Sequence, residues 1–288
     1  MTALQNKIDF AIVLRVKNAN PNGDPLNGNR PRTDYGGLGE ITDVCLKRKL
    51  RDRLQEAGYR IYVQSDDRKN DEHKSLAERA RAVLGDKLGG AETAKLACGA
   101  WFDVRAFGQL FAIKAAKKTK KAEATDDIGG DTGISVGIRG PVSIQSAFSL
   151  EPVSVTSTQI TKSVSGEGDG SKRGSDTMGM KHRVDHGIYV SYGSMNPQLA
   201  ERTGFSGEDA AAIKAILPKL FENDASSARP EGSMEVVKVV WWQQEGKGKC
   251  SSAKVHASLD RTKIGPNGEF DSSALSDCGV VPEVIEGF

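Results

Sequence analysis

The sequence is poor in the residues from which metal centres, disulfide frameworks and membrane spans are built. It has four histidines and four cysteines, no CxxC pair, and no apolar run near the roughly 18 residues that span a membrane. Structural zinc sites need closely spaced ligand pairs, so we expect no metal site. The amino terminus lacks the apolar region of a signal peptide, so we expect a cytoplasmic protein with reduced thiols and no membrane contact. The cysteines are Cys45, Cys98, Cys250 and Cys278.

The sequence also lacks the motifs of the common enzyme classes. No P-loop, HExxH, GxSxG or protein-kinase string occurs, so we expect no catalytic residues and no cofactor. The string GEGDG at 166–170 has no predicted strand before it and no helix after it, unlike a phosphate-binding loop. His182 and His186 form H-x3-H in a predicted strand, where their rings lie farther apart than on a helix. A polar strand edge near a ligand is favoured there over a metal site.

Charge and composition limit the possible partners. The net charge is +2, so any surface that binds nucleic acid must be local. Hydrophobic residues make up 38% of the chain and charged residues 27%, as in a globular protein with a real core.

The stretch KNANPNGDPLNGNRPRTD, residues 17–34, is a long polar loop. It follows an apolar run at 8–16 that predicts a strand. Connections are usually about 4–6 residues, so a loop of this length is functional or disordered. Its Asn, Asp and Gly residues are turn formers, and their backbone amides can meet phosphate and ribose groups.

The segment after the loop predicts a strand–helix–strand unit. Apolar residues repeat at helical spacing from Ile41, Thr42 is a candidate N-cap, and Gly58 is a stop signal. The string YRIYVQ at 59–64 predicts the second strand. The unit is therefore expected to be a right-handed βαβ crossover that begins with the first strand.

The remaining chain predicts helices and strands separated by two polar insertions. The segment 102–113 fits either a strand or a helix. Lys- and Gly-rich residues 115–133 predict a mobile surface loop, and residues 154–180 predict a projecting hairpin. Helices are expected at 72–85, 91–101 and 206–224, and strands at 138–153, 183–195 and 234–244, with 251–261 as a candidate partner of the last strand.

Together these elements predict an α+β fold. With the insertions removed, the order approaches β-α-β-β-α-β, a ferredoxin-like core with one helical insertion and one hairpin insertion.

Basic residues cluster around the loops and strand ends of this core. Each is by default a solvated surface charge, but the set is also what a groove for RNA would need. The cluster comprises Arg30, Arg32, Lys47, Arg48, Arg51, Arg105, Arg139, Lys162, Lys172, Arg173, Lys181 and Arg183.

Three long strings carry a resemblance to a known family. They are NANPNGDPLNGNRPRTDYGGLGEITDVCLKRKLRD at 18–52, FDVRAFGQLFA at 102–112 and MGMKHRVDHGIYV at 178–190, with GIRGPVSIQSAFSLEPV at 137–153 among them. The chain resembles the Csd-type backbone subunit of Cascade, the CRISPR surveillance complex, in its type I-C form. The resemblance is detailed over residues 8–192 and general beyond.

The resemblance implies an RRM-like palm, a helical fingers insertion and a β-hairpin thumb. Copies of such subunits stack head to tail along the CRISPR RNA, and each thumb crosses the RNA and flips out one nucleotide. The exposed bases pair with target DNA, other Cascade subunits complete the complex, and a recruited helicase-nuclease cuts. In this chain the palm would be 1–65, 101–153 and 181–288, the fingers 66–100, and the thumb 154–180.

The resemblance and the basic cluster together define the candidate site. The candidates for DNA contact are Lys117, Lys118, Lys120 and Lys121. The candidates for RNA binding are Asn20, Asn22, Arg30, Arg32, Lys47, Arg48, Arg51, Arg105, Phe107, Arg139, Gln159, Lys162, Lys181, His182 and Arg183.

Two other classes of function remain open. Backbone subunits of the related type III complexes cut target RNA with an Asp in the loop after the first strand, where this chain has Asp24 and Asp34. A general single-strand binder is the other alternative, although the aromatic residues lie mostly in strands that look like core.

Overall fold

The computed structural model describes residues 2–113, 134–161, 178–272, 275 and 279–288. The strands are β1 (Lys7–Ala19), β2 (Gly23–Asp24), β3 (Arg30–Pro31), β4 (Leu38–Ile41), β5 (Gly108–Ile113), β6 (Ile134–Arg139), β7 (Val142–Ile144), β8 (Ala147–Pro152), β9 (Val155–Thr161), β10 (Met178–Met195), β11 (Met234–Gln244) and β12 (Glu283–Glu286). The helices are α1 (Asp43–Glu56), α2 (Leu76–Leu84), α3 (Thr93–Ala100), α4 (Phe102–Phe107), α5 (Pro197–Thr203), α6 (Gly207–Ile216) and α7 (Ser252–Ser258).

A large antiparallel sheet organises the chain. Its strand order is β12-β11-β1-β10-β8-β4, and β7 and β9 also pair with β10. Strand β1 lies in the middle, hydrogen-bonded to β10 on one edge and β11 on the other. The α+β prediction is confirmed at this level, because helices cover an antiparallel sheet.

The two faces of the sheet carry different hydrophobic clusters. On the first face, Phe10, Ile12 and Leu14 of β1 belong to the cluster that contains the buried leucines of α1. On the second face, Ala11 and Val13 belong to a cluster with Val255 and Leu259 of the C-terminal segment. Because side chains alternate along a strand, β1 is buried on both sides, and its sequence is a nearly continuous apolar run. A third cluster joins α2 and α3 to Trp101, Val104 and Phe111.

Helix α1 begins and ends close to the predicted positions. The Thr42 side chain accepts a hydrogen bond from the backbone N–H of Cys45, which satisfies one of the free donors at the helix start. Helix α6 likewise has a capping box between Ser206 and Asp209. Helices within the other two predicted segments and the strand at 234–244 are also confirmed.

The strand predicted at 59–64 is wrong, and so is the βαβ crossover that it would complete. The backbone N–H groups of Tyr62 and Val63 donate to the Asp103 carboxylate, at 2.7 and 3.0 Å, instead of to a strand. Asp103 also accepts from Arg51 Nε at 2.9 Å. A buried side chain therefore replaces the sheet partner, and this segment packs as irregular chain against α4.

Three other segments differ in detail from their predictions. Residues 102–113 contain both alternatives, helix α4 followed by strand β5. The single strand predicted at 138–153 is divided among the end of β6, β7 and β8. The segment 251–261 contains helix α7 rather than a strand, because Ser251 caps a helix whose Val255 is buried against the sheet.

The predicted hairpin is present in its described part. Strand β9 pairs with the first residues of β10, from Val155↔Val184 to Thr161↔Met178. Residues 162–177 lie outside the described residues, as does the predicted lysine loop at 115–133. The strands β5 and β6 that flank this loop pair with each other up to Ile113↔Ile134.

The expectation that all cysteines are reduced is wrong for Cys250, which is disulfide-bonded. Cys45 and Cys98 are free thiols. Cys45 packs against the main core, and burial raises its pKa and that of Cys98, the latter to about 11. No helix among the described residues is long and apolar enough to cross a membrane.

We predict that Asp103→Ala destabilises the fold strongly. The substitution leaves the buried N–H of Tyr62, the half-buried N–H of Val63 and the Arg51 guanidinium without their acceptor, which costs about 3–5 kcal/mol in the free energy of unfolding. Urea unfolding followed by circular dichroism measures it, with Asp66→Ala on the exposed neighbouring loop as the control. Equal midpoints for the two variants would contradict this role of Asp103.

Candidate nucleic-acid interface

The basic residues of α1 are neutralised within the fold. Lys47 pairs with Asp43 at 3.0 Å, Arg48 with Asp52 at 2.9 Å, and Arg51 with Asp103 at 2.9 Å. The helix therefore does not present the free cationic face that its sequence suggests.

The pair of Arg48 and Asp52 shows that burial of these side chains disfavours their charged forms. Burial lowers the pKa of Arg48 and raises the pKa of Asp52, and the partner's charge opposes each shift. Arg48 also donates to the backbone carbonyl of Val63 at 2.7 Å. This guanidinium holds the irregular segment after α1 in place, which is a structural task.

Arg105 and Phe107 of α4 also have structural contacts. Arg105 makes two hydrogen bonds to the Asp209 carboxylate, at 2.9 and 2.7 Å, and its guanidinium lies 4.8 Å from the Phe102 ring centre. Arg51 lies 5.2 Å from the ring centre of Phe107. These contacts hold α4 against α6 and α1, so α4 offers little free charge.

The predicted loop at residues 17–34 begins as the end of β1, and its remaining residues form a small folded structure. Strands β2 and β3 pair, Asn20 is buried and donates to the carbonyl of Asn29 at 2.7 Å, and the Asn22 side chain accepts from both donors of Thr42. Arg32 lies 3.4 Å from Asp24. The asparagines thus shape the loop through their side chains and connect it to the start of α1.

Unpaired charge lies in the loop and on the surface strands. Arg30, Arg139 and Lys181 form no ion pair with any described residue, and the last two are exposed. His182 bonds to Ser157 across the hairpin at 2.8 Å, and Arg183 is exposed, 3.4 Å from Asp185. The exposed Gln159 side chain contacts Met178. Lys162 and the four lysines proposed to contact DNA lie outside the described residues.

One cationic side chain was missed by sequence reasoning. Lys17 is exposed and stands directly opposite His186 in the pairing of β1 with β10. The signal was present in the sequence, because Lys17 comes one position beyond the buried Val16, at the end of the apolar run of β1. As the first residue of the long loop, it counted only toward the polar composition of that loop.

The two candidate RNase residues have local structural roles. Asp24 caps the short turn at Pro25–Asn27 by accepting from Leu26 N at 3.2 Å. Asp34 accepts from Leu38 N at 2.8 Å and closes the turn that presents Tyr35. Within the described ranges, no group of three or more His, Cys, Asp and Glu residues is placed to hold a metal ion.

The fold and its surface define an α+β protein that carries unpaired cations on the loop, the hairpin and one end of the sheet. Residues 6–278 match the profile of the family described as CRISPR-associated protein Cas7. A CRISPR-associated protein Cas7 from Haloferax volcanii is 30% identical over 239 residues, which cover 79% of this chain and 67% of that protein. The chain therefore belongs to the Cas7 family.

Two solved structures are more distantly similar. A chain described as "CRISPR RNA-guided surveillance complex, pre-nicking" is 16% identical, with a TM-score of 0.47 and coverage of 86% of this chain and 81% of that one. Another, "CRISPR RNA-guided surveillance complex", is also 16% identical, with a TM-score of 0.42 and coverage of 82% and 68%. Neither supports the transfer of residue roles.

We predict that Arg105→Gln lowers stability and leaves RNA binding by the folded protein intact. Asp209 would remain buried without its cation, at a cost of about 3 kcal/mol in the free energy of unfolding. Thermal unfolding and filter binding of guide RNA measure the two effects, with exposed Arg202→Gln as the matched control. A loss of RNA affinity at an unchanged midpoint would instead place Arg105 on the RNA.

Proposed function

We propose that this protein is a non-catalytic backbone subunit of a type I-C CRISPR surveillance complex that binds CRISPR RNA. Membership of the Cas7 family carries this proposal. The long polar loop and the hairpin with Lys181 and Arg183 support it, because their polar groups and cations can contact phosphates, which carry no base sequence. A subunit that accepts any guide sequence must bind in this way and leave the Watson–Crick edges free.

The proposed palm is a ferredoxin-like, RRM-like core. Its support is the sheet order β11-β1-β10-β8, with α1 between β1 and β8 and α6 between β10 and β11. This is the order that a β-α-β-β-α-β chain produces. The proposed palm comprises 1–65, 101–153 and 181–288.

The proposed fingers are residues 66–100 and the proposed thumb is residues 154–180. Helices α2 and α3 have their own hydrophobic cluster, which supports a separate fingers unit, and that cluster also includes Trp101 and Phe111. The exposed hairpin of β9 and β10 supports the thumb.

Copies of the subunit would stack head to tail along the guide, since an interface that does not close generates a helical filament. The presented bases would pair with target DNA. Other Cascade subunits would complete the complex, and a recruited helicase-nuclease would cut the DNA. The RNA contacts proposed are the residues named from the sequence except Arg105, whose guanidinium is engaged by Asp209. Among the described ones, Arg30, Arg139 and Lys181 have the support of unpaired charge, and Arg183 is exposed beside Asp185.

The hairpin is the part of the protein that tests this function. Because Ser157 and His182 are paired, residues 158–181 can be replaced by Asn-Gly, a turn that suits antiparallel strands. We expect wild-type protein to protect a guide RNA continuously, with reactive nucleotides at regular intervals, and the truncated protein to lose that pattern. Nuclease footprinting measures it.

A matched truncation provides the control. Joining Ile113 to Ile134 by Asn-Gly removes the lysine loop in the same manner, since these residues are also paired. This variant should keep the guide footprint. A single short footprint that is indifferent to the hairpin truncation would mean an isolated RNA-binding module and would overturn the filament proposal.

The lysine loop is proposed to contact target DNA. We expect that changing Lys117, Lys118, Lys120 and Lys121 together to Ala weakens DNA binding by the guide-loaded protein and reduces its salt dependence. The slope of log affinity against log salt should fall by about 0.9 for each duplex phosphate that the variant no longer neutralises. Unchanged DNA affinity across the salt series, with guide assembly intact, would reject this role of the loop.

The alternative function is a metal-dependent RNase that uses Asp24 or Asp34. The engagement of both carboxylates in local turns favours the non-catalytic proposal. Incubation of the guide-loaded protein with complementary RNA and Mg²⁺ tests it, and we expect the target to remain intact. Cleavage at regular intervals, lost in Asp24→Ala or Asp34→Ala, would establish the RNase instead.

A further inference from the structure

We propose that the second face of the sheet carries a groove for the phosphodiester backbone of a nucleic-acid strand other than the guide. The proposal rests on the proposed function, because it assigns a second ligand to the same guide-loaded protein. The groove is a cavity of about 410 Å³, and its polar lining comes from three strands and one C-terminal turn. These lining residues are Arg15, Lys17, His186, Ser233, Glu235 and Asn267.

Strand register holds the central side chains of the groove together. Lys17 of β1 is directly opposite His186 of β10, so both side chains project from the same face. The backbone N–H of Lys17 donates to the carbonyl of Ser233 at 2.8 Å, which places Ser233 beside them. The three groups are therefore positioned by the sheet itself rather than by a flexible loop.

Two side chains of the groove have no hydrogen-bond or ion-pair partner among the described residues. Ser233 is only 8% exposed, and its Oγ makes no hydrogen bond among the described residues, although buried hydroxyls are nearly always bonded. Lys17 is exposed and forms no ion pair with a described residue. Arg15 is paired with Glu235, so Lys17 remains as the uncompensated positive charge of the cavity.

This chemistry matches a phosphate group. A phosphate oxygen accepts from a lysine ammonium, a serine hydroxyl, an imidazole N–H and an asparagine amide, and residues of these four types line the cavity. His186 also lines a second cavity of about 440 Å³, bounded by β8 and by residues 261–266. In that cavity Arg261 donates a hydrogen bond to the backbone carbonyl of Ser149 at 2.7 Å. Its guanidinium therefore forms part of the cavity wall and is less available to a phosphate. Because His186 lines both cavities, the ligand proposed is an extended chain of phosphates rather than one small anion, although Glu151 also lines the second cavity.

The groove lies on the other side of the sheet from α1 and α4. The turn that carries Asn267 packs on the face of Val13, since a Cβ at Gly268 would approach Val237 to 3.0 Å and Val13 to 3.2 Å. Val13 belongs to the cluster of the C-terminal segment, whereas the buried residues of α1 and α4 belong to the other face. A strand bound here would thus be separated by the sheet from RNA held at those helices.

The test compares DNA binding and guide binding in the same variants. We expect Lys17→Ala with His186→Gln to weaken binding of single-stranded DNA by the guide-loaded protein several-fold. The salt slope should fall by about 0.7 for each phosphate of single-stranded DNA that the variant no longer neutralises. The guide footprint should be unchanged. Lys95→Ala, an exposed lysine of α3 without an ion pair to a described residue, is the matched control.

Ser233→Ala provides a second, uncharged probe. Because Oγ bonds to nothing among the described residues, we expect this variant to fold normally and to bind DNA more weakly with an unchanged salt slope. Two results would overturn the proposal: DNA binding by Lys17→Ala/His186→Gln equal to that of Lys95→Ala, or a loss of guide footprint as large as the loss of DNA binding. A wild-type protein without any guide footprint would refute the proposed function. The groove would then be judged by the same salt series on guide-free protein.

Discussion

The arrangement of the molecule depends on one strand that is hydrogen-bonded on both edges and buried on both faces. Strand β1 gives Phe10, Ile12 and Leu14 to one core and Ala11 and Val13 to the other. A shift of one residue in its register would exchange the two sets, so the register is strongly specified. This register determines where β1 ends, and therefore where the polar loop leaves the sheet. It also places Lys17 opposite His186.

Charge at the surface is available only where folding leaves it unpaired. The guanidinium groups of α1 and α4 approach carboxylates because a buried cation without a partner is very costly. Their charge is neutralised by carboxylates within the fold, and their hydrogen bonds hold the helices to each other and to the irregular segment after α1. Among the described residues, unpaired cations remain on the loop, the hairpin and the second face of the sheet, so a ligand could meet this protein at separate places with the core between them.

The sequence predicted the elements whose signals are local. Helices α1 and α6 follow from periodicity and capping residues, and β11 follows from an apolar, β-branched run. The segment 59–64 failed because its amides bond to Asp103, forty residues away, and no local pattern reveals that contact. The segment of helix α7 was predicted only as a partner of the preceding strand, and it failed for a similar reason, because burial of Val255 on the sheet decides its structure.

The sequence located the segments of the candidate site, but it did not show which of the basic side chains are already paired with carboxylates. The loop and the hairpin were identified by composition, and both project from the sheet. The ion pairs of Arg51 and Arg105 were not predictable, because their partners Asp103 and Asp209 come from distant parts of the chain. The sequence shows that a basic residue is present, but only the tertiary structure shows whether its charge is free to bind a ligand.

The length of β10 has a mechanical consequence. Its 18 residues run without interruption from the hairpin to the centre of the sheet, a span of about 60 Å at roughly 3.3 Å per residue. The hairpin is therefore one end of a lever whose other end is clamped between β1 and β8. Residues 178–183 extend beyond the last pairing with β1, at Val184, as an arm of about 20 Å, so a rotation of about 5° at the clamp displaces their far end by about 2 Å. A force on the hairpin is transmitted directly to the central strand. The length of β10 would therefore fix the distance between the central sheet and any ligand that the hairpin contacts.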